Sequence, residues 1–224
     1  MKDQSDQQIP FWDKDIGLVI ATHPDADHVA ALPDVFERYD VGRLIINVQG
    51  SGTSSLEVLL TIAQKSGTPL HTAQAGEVIE IDDVAMLEIL NPGNQLPATS
   101  DQHDNDRSFA LRMTHGNFSL LLTGDASDIA ERIIMAVDRP LSVVVYKAGH
   151  HGARSSSSQH FLEKIQPQFA IISAGEENRY GHPSPEQLHK AAIVDAAELW
   201  TDELGSIEVI TDGEQMWWEA RDID

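Results

Sequence analysis

Thr22-His23-Pro24-Asp25-Ala26-Asp27-His28 follows directly after the apolar, strand-like run from Ile16 to Ala21. A strand that ends in a tight turn brings its next few side chains into one small volume. Mixed imidazole and carboxylate ligands fit zinc, manganese or iron, whereas an all-oxygen set would indicate calcium or magnesium. The alternate spacing, followed by an adjacent pair, suits a two-metal site better than a single one. The four candidate ligands in this turn are His23, Asp25, Asp27 and His28.

Two simpler interpretations of the turn have to be weighed. An EF-hand is excluded because the loop lacks the glycine and the closing glutamate that such a calcium site requires. The other interpretation is a polar strand-to-helix turn, in which Asp25 or Asp27 only caps a helix that starts near Val29. The residues of the turn alone leave this second interpretation open.

Other ligand-type side chains follow apolar runs later in the chain, which favours a metal site. Strands that each end in a ligand place those ligands at one edge of a sheet structure, where rigid elements hold the loops. The segments are Ser119 to Asp125, Val143 to Gly152 with its His150-His151 pair, Phe169 to Pro183 with His182, and, least securely, His103-Asp104-Asn105-Asp106.

The composition predicts one soluble domain spanning residues 1–224, with 41% hydrophobic residues and no internal repeat. The absence of cysteine excludes disulfides and thiolate ligands, so any metal must be held by histidine and carboxylate. No apolar run approaches the roughly 18 residues of a membrane helix, and no signal peptide is visible. With 15 basic and 36 acidic residues, the formal charge is −21, which opposes nucleic-acid binding unless a local basic lane exists.

The order of predicted elements is that of an α/β protein with two sheets flanked by helices. Predicted helices cover residues 29–39, 54–66, 127–137, 158–165 and 184–194. Predicted strands cover 16–22, 43–48, 69–73, 77–81, 84–90, 108–114, 118–123, 141–147, 168–174, 197–201, 206–211 and 215–219.

The motifs resemble the metallo-β-lactamase-type domain of ComEC-type competence proteins, the DNA-internalisation channels of transformable bacteria. The resemblance runs from about residue 10 to residue 218 and implies a four-layer αββα sandwich. The motifs are His23-Pro24-Asp25-Ala26-Asp27-His28, Leu121-Leu122-Thr123-Gly124-Asp125, Lys147-Ala148-Gly149-His150-His151-Gly152, Asn178-Arg179-Tyr180-Gly181-His182-Pro183 and Ile210-Thr211-Asp212-Gly213.

The resemblance also implies two divalent metal ions, zinc or manganese. The implied ligands are His23 and Asp25 for the first ion, Asp27, His28 and His182 for the second, and Asp125 as the bridge. Most of the superfamily has histidine at the position of Asp25, and the aspartate makes the first site richer in oxygen. This substitution favours manganese.

Two features depart from the family pattern. Its Asn-Asp-Asn-Ser-like stretch is Asn105-Asp106-Arg107-Ser108 here, and Arg107 puts a fixed cation near a metal, so that the ligand at this motif is open between His103, Asn105 and Asp106. The family's opening strands, with a Gly-Gln-Gly-Asp segment and an Asp-Gly-Gly turn, have no equivalent before Ile16. The sequence therefore predicts a domain truncated at its N-terminus and lacking the first hairpin.

The family implies that Asp27, beside the attacking water, handles its proton, and that His150 or His151 protonates the leaving oxygen or binds phosphate. We favour His151, because adjacent residues on an extended segment point in opposite directions. The other histidine would then bond a backbone carbonyl. Lys147, Arg154 and the serines 155–158 could bind phosphate or simply cap a helix.

Three functions fit these observations. The first is a dinuclear phosphodiesterase or nuclease acting on single-stranded DNA during uptake, with a membrane-channel partner at the bacterial inner membrane. The second is a hydrolase of the same fold acting on a small ester or lactone. The third is a catalytically disabled interaction domain, in which Arg107 and the missing hairpin have destroyed the first metal site.

Overall fold

The computed structural model describes residues 12–47, 53–92, 104–136, 139–175, 178 and 180–221. Contacts divide the chain into two compact units, Met1–Ala73 and Gln74–Asp224, which are described in turn. The prediction of a single domain over residues 1–224 stays a prediction. The predicted loss of a first hairpin falls on residues 1–11, which lie outside the described part.

The first unit is built around a short parallel sheet in the order β2-β4-β5. The central strand β4 has no exposed residue, which is typical of a parallel strand covered on both faces. The elements described in this unit are β1 (Asp15–Ile16), β2 (Val19–Ala21), α1 (Ala26–Val29), α2 (Leu32–Arg38), β3 (Asp40–Val41), β4 (Leu44–Ile46), α3 (Ser54–Ser66) and β5 (Leu70–His71).

Helix α3 has well-defined ends, and its first end holds the chain near the His/Asp turn. The Thr53 hydroxyl accepts a hydrogen bond from the N–H of Leu56 at 3.2 Å and donates one to the carbonyl of Pro24 at 2.7 Å. The helix ends at Gly67, whose φ of 71° places it in the left-handed region where glycine carries no steric penalty. One threonine thus caps α3 and anchors the turn that follows β2.

The second unit contains a seven-stranded sheet in the order β12-β11-β10-β9-β8-β7-β6, and a separate hairpin of β13 and β14. The elements described in this unit are β6 (Val78–Glu80), β7 (Ala85–Asn91), β8 (Ala110–His115), β9 (Phe118–Leu122), α4 (Asp128–Met135), β10 (Val145–Lys147), α5 (Gln159–Ile165), β11 (Phe169–Ile172), α6 (Pro185–Ile193), β12 (Ala197–Trp200), α7 (Thr201–Leu204), β13 (Ser206–Thr211) and β14 (Met216–Arg221), with 3₁₀ turns at Asp104–Arg107 and Gly149–Gly152.

The sheet changes character along its width. Strands β6 to β9 form an antiparallel meander, whereas β9 to β12 are parallel neighbours connected through α4, α5 and α6. The carboxyl ends of β9, β10 and β11 therefore lie at one edge of the sheet. In open α/β sheets ligands bind beyond this edge.

Two hydrophobic cores support the units separately. In the second unit Tyr146 of β10 is fully buried, and its ring meets Phe161 of α5 edge-on with centroids 5.9 Å apart. In the first unit Leu44 and Leu59 are fully buried in a core that joins β4 to α3. None of the helices that the structure describes has the length and apolar character needed to cross a bilayer.

The element predictions are largely confirmed, with differences at boundaries. The helix predicted at residues 54–66 is observed over those residues. The predicted helix 29–39 is instead two helices, α1 and α2, because the chain restarts at Leu32 with Pro33 in the first turn, where proline is tolerated. Strand β10 begins at Val145, four residues later than the predicted start at residue 141.

Glu131 is a buried carboxyl that joins α4 to α5. The residue is 1% exposed, and its carboxylate accepts hydrogen bonds from the N–H groups of Ser157 and Ser158 at the start of α5. Burial raises the pKa of Glu131 from 4.5 to about 7, although the two serines and Lys190 oppose this shift. Because the folded pKa lies above the unfolded one, the folded protein binds this proton more tightly than the unfolded chain does.

We expect the free energy of unfolding to fall as the pH rises from about 4.5 through about 7, where Glu131 becomes charged in the folded protein. The loss amounts to about 3.5 kcal/mol at most, since one pKa unit corresponds to about 1.4 kcal/mol. Urea unfolding across this pH range should show the decline in the wild type and a weaker one in Glu131→Gln. Glu163→Gln, which removes an exposed charge from α5, is the control. Equal pH dependence in all three proteins would contradict this role for Glu131.

Candidate metal centre

In the first unit the four predicted ligands lie together on the turn after β2. The Nε2 of His23 is 3.8 Å from a carboxylate oxygen of Asp25, and the Nε2 of His28 is 3.6 Å from one of Asp27. The rings of His23 and His28 have centroids only 4.1 Å apart. Two ligand atoms about 2.1 Å from one tetrahedral zinc ion lie about 3.4 Å apart. Each His–Asp pair therefore has nearly the spacing needed to share a cation.

The surroundings of the turn favour ligands over a cap. Asp25 occupies the position before α1, but its side chain makes no capping hydrogen bond, so the capping interpretation is not observed for this residue. His23 is fully buried, and its Nδ1 lies 3.1 Å from the Thr22 hydroxyl, which leaves Nε2 toward Asp25. Metal-binding histidines commonly have such a partner on the second nitrogen. Asp27 is the most exposed of the four, with a side chain 64% accessible.

In the second unit Asp125 follows β9 after Thr123 and Gly124. Its carboxyl group is almost fully buried, and its N–H donates a hydrogen bond to the Ser108 hydroxyl at 3.2 Å. One carboxylate oxygen lies 3.6 Å from the Nε2 of His150. A carboxylate buried next to an imidazole suits either a metal bridge or stabilisation of a charged histidine.

The His150-His151 pair lies on a 3₁₀ turn and not on the extended segment that we predicted. Both residues have left-handed backbones, with φ values of 47° and 55°. Such conformations are sparse for non-glycine residues and concentrate at functional sites. The prediction that these neighbours point in opposite directions along a strand was therefore based on the wrong local conformation.

The turn nevertheless gives the two histidines different partners. The Nδ1 of His151 lies 2.8 Å from the carbonyl oxygen of Ser173, which can only accept, so Nδ1 carries the hydrogen. The lone pair of neutral His151 is then on Nε2. His150 instead lies near Asp125 and has its Nδ1 3.4 Å from the side-chain amide of Asn105. His151 is therefore the histidine that bonds a backbone carbonyl, and our prediction that His150 would do so was wrong.

His182 is held by the loop that follows β11. Its backbone N–H donates a hydrogen bond to the side-chain oxygen of Asn178 at 2.9 Å. The ring of Tyr180 stacks against its imidazole with centroids 5.9 Å apart. The His182 ring also lies 5.8 Å from that of His150. Asn178 and Tyr180 thus position His182, while Arg179 lies outside the described residues.

The electrostatics of His182 fit a metal ligand. Burial and the neighbouring His150 and His151 lower the pKa of His182 below its ordinary value, although Asp125 opposes the shift. A neutral imidazole keeps the lone pair that a metal needs. Its Nδ1 is buried and has no hydrogen-bond partner among the described residues. An orphaned buried nitrogen beside histidine and carboxylate donors fits a divalent zinc or manganese ion.

The motif Asn105-Asp106-Arg107-Ser108 supports Asp125 through the Ser108 hydroxyl. The carboxylate of Asp106 accepts a hydrogen bond from the Ser127 hydroxyl at the start of α4, and Asn105 faces His150. Arg107 is buried, being 8% exposed. His103 lies outside the described residues. Asn105 is therefore the member of this motif that contacts a candidate catalytic residue.

Two lysines of the second unit lie near the candidate site, Lys147 of the quoted motif and Lys190, which no motif included. Lys147 is largely buried, which lowers its pKa, and Asp125 opposes that shift. The Nζ of Lys190 on α6 donates to the carbonyls of Arg154 and Ser156 at 3.3 and 3.2 Å. These partners are more than thirty residues apart in sequence, so no local pattern could have joined them.

Comparison with known sequences identifies relatives over most of the chain. It is 32% identical over 195 residues to ComE operon protein 3 of Bacillus subtilis, which covers 87% of this chain and 24% of that protein. It is 34% identical over 116 residues to Recombination protein 2 of Haemophilus influenzae, and 33% identical over 106 residues to Competence protein ComA of Neisseria gonorrhoeae. The chain is homologous to bacterial competence proteins. This confirms the resemblance predicted from the motifs.

This competence-protein homologue spans a quarter or less of the length of these relatives, namely 24%, 15% and 14%. No protein-family model matches it. Solved structures with a similar fold include a putative metal-dependent hydrolase from Parabacteroides distasonis, with a TM-score of 0.54, 12% identity and coverage of 86% of this chain and 79% of that one. Another is CmlA, a diiron β-hydroxylase from Streptomyces venezuelae, with a TM-score of 0.54, 15% identity and coverage of 86% and 44%. The mixed α/β fold of this chain is thus similar to the folds of that putative metal-dependent hydrolase and of the hydroxylase.

Gly152 gives a test of the packing around His182. Its φ is 80°, and an added Cβ would lie 2.8 Å from the Cβ of Pro183, the residue after His182. We expect Gly152→Ala to lower the free energy of unfolding by about 2 kcal/mol or more, because left-handed strain and this clash add. In the control, Gly175→Ala, the new Cβ meets nothing within 4 Å. Urea unfolding should separate the two variants, and similar stability would refute the close packing.

Proposed function

We propose that this chain is a two-metal phosphodiesterase that acts on single-stranded DNA during DNA uptake. The observation that carries the proposal is the orphaned, buried Nδ1 of His182, next to His150 and within a competence-protein homologue. The fold of metal-dependent hydrolases and the His/Asp turn after β2 support it. The proposal includes one four-layer αββα domain formed by the whole chain.

Six residues hold the two ions in this proposal. They are His23 and Asp25 for the first ion, Asp27, His28 and His182 for the second, and Asp125 as the bridge. When bound, zinc or manganese would lower the pKa of water and neutralise charge on the reacting phosphate. The nearly tetrahedral spacings of the two His–Asp pairs are what support this assignment in the first unit.

Proton transfers are assigned to side chains around this centre. The exposed carboxylate of Asp27 accepts the proton of the attacking water. As a doubly protonated imidazolium, His151 donates its Nε2 proton to the leaving oxygen and becomes neutral, while the Ser173 carbonyl holds Nδ1–H and fixes the ring. His150, whose Nε2 lies 3.6 Å from the Asp125 carboxylate, contacts the phosphate.

Metal content tests the site directly. We expect two zinc or manganese ions per wild-type chain after EDTA stripping and reloading, as measured by elemental mass spectrometry. Asp125→Ala should lose at least one ion because it removes the proposed bridge, and Asp27→Ala should weaken the second. Asp34→Ala, an exposed carboxylate on α2, is the control and should keep both ions. One ion or none in a folded wild-type chain would instead indicate a disabled interaction domain.

Leaving-group dependence tests the role of His151. Its replacement by alanine should lower kcat on a dinucleotide by about 10²-fold or more, because an alkoxide needs a proton to leave. On bis-p-nitrophenyl phosphate the loss should be much smaller, since p-nitrophenolate leaves without one. His160→Ala removes an exposed histidine from α5 and serves as the control. Equal losses on both substrates would show that His151 is not the general acid. Activity of the wild type on lactones alone would favour a small-ester hydrolase.

A further inference from the structure

The second unit contains an open cavity of about 670 Å³ that borders the proposed site. His150 and His182 line it together with Arg154, Lys190 and the serines before α5. Two basic side chains, Arg154 and Lys190, thus border one cavity in a chain whose formal charge is −21. Basic side chains grouped in this way form the kind of surface that receives phosphate.

Arg154 is the side chain in this cavity best able to change partners. Its guanidinium Nε lies 3.6 Å from the carboxylate of Glu186 on α6, and the two side chains are 80% and 52% exposed. Exposed ion pairs of this kind contribute little stability. A phosphate could therefore replace Glu186 at small cost, and it would gain the paired N–H groups with which arginine binds phosphate oxygens.

The other charged groups of the cavity have structural partners. Lys190 donates to the carbonyls of Arg154 and Ser156 and so fixes the loop that carries Arg154, while its charge stays beside the cavity. Asp128, the acidic residue of the lining, is paired with Arg132 at 2.8 Å. Arg154 is thus supplied by a loop that Lys190 holds in place.

We propose that this cavity binds the phosphate next to the scissile one in a single-stranded nucleic acid, with Arg154 as its contact. The inference rests on the proposed function, because it assumes that the scissile phosphate lies beside His150. It adds a binding subsite for a polymeric substrate. Glu186 pairs with Arg154 when no nucleic acid is bound, so removing the glutamate's charge should strengthen the binding of nucleic acid.

Salt-dependent binding of a short oligothymidylate to the full chain in EDTA, where cleavage is prevented, gives the first test. A contact with one phosphate contributes about 0.7 to the slope of log K against log salt for single strands. We expect Arg154→Ala to lower affinity about tenfold and to reduce the slope by about 0.7. Glu186→Gln should raise affinity, and Lys164→Ala, an exposed cation at the far end of α5, should change neither quantity.

Cleavage of two substrates by the metal-loaded protein gives the second test. A dinucleoside monophosphate has only the scissile phosphate, whereas a trinucleotide offers a neighbouring one with the same leaving group. Arg154→Ala should lower kcat/KM about tenfold on the trinucleotide and leave the dinucleotide nearly unchanged. Equal effects on both substrates, or an unchanged salt slope, would overturn the subsite. If oligothymidylate binds with the expected salt dependence but is not cleaved, the proposed phosphodiesterase activity is refuted and the binding subsite is still supported.

Discussion

Parallel pairing of β9, β10 and β11 in matched register is the constraint on which the second half of the candidate site depends. Leu122, Lys147 and Ile171 are register partners, so the three chains leave the sheet at the same edge. Asp125 and His150 then come within 3.6 Å of one another although 25 residues separate them. Backbone hydrogen bonds between strands, and not contacts between the polar side chains, bring this chemistry together. The buried β10 strand stabilises this edge of the sheet. The acidic and basic side chains beyond it can therefore serve the chemistry without having to stabilise the fold.

The His/Asp turn of the first unit is held by a different means. Its strand, β2, is only three residues long, so the sheet alone gives little control of the segment that follows. The Thr53 hydroxyl provides that control by bonding the Pro24 carbonyl while it caps α3. A site that must hold charged side chains close together needs such supports, since carboxylates that share a small volume repel one another until a cation neutralises them.

Local signals explain which predictions were accurate. Helix α3 was predicted to the residue because Thr53 caps one end and Gly67 ends the other, and both signals are local. The predicted conformation of His150 and His151 was wrong, because two successive left-handed residues are rare without glycine. Their conformation follows from the packing of the whole turn. The bond from Lys190 to the loop of Arg154 spans 36 residues and could be found only from the folded chain. Motifs thus located the proposed ligands, whereas the residues that support them could be found only from the structure.

The strong acidity of the chain has a physical consequence for the proposed chemistry. At physiological salt the charges of exposed carboxylates are screened over about 8 Å, so in this chain of net charge −21 the carboxylates farther than that from the cavity contribute little to the field inside it. A substrate strand that reaches the lining of His150, His182 and Arg154 meets the local field of those groups. Acidity elsewhere would slow association and disfavour long duplexes that contact a wide surface. It would leave a narrow single strand, bound at a few phosphates, as the nucleic acid that such a surface accepts most readily.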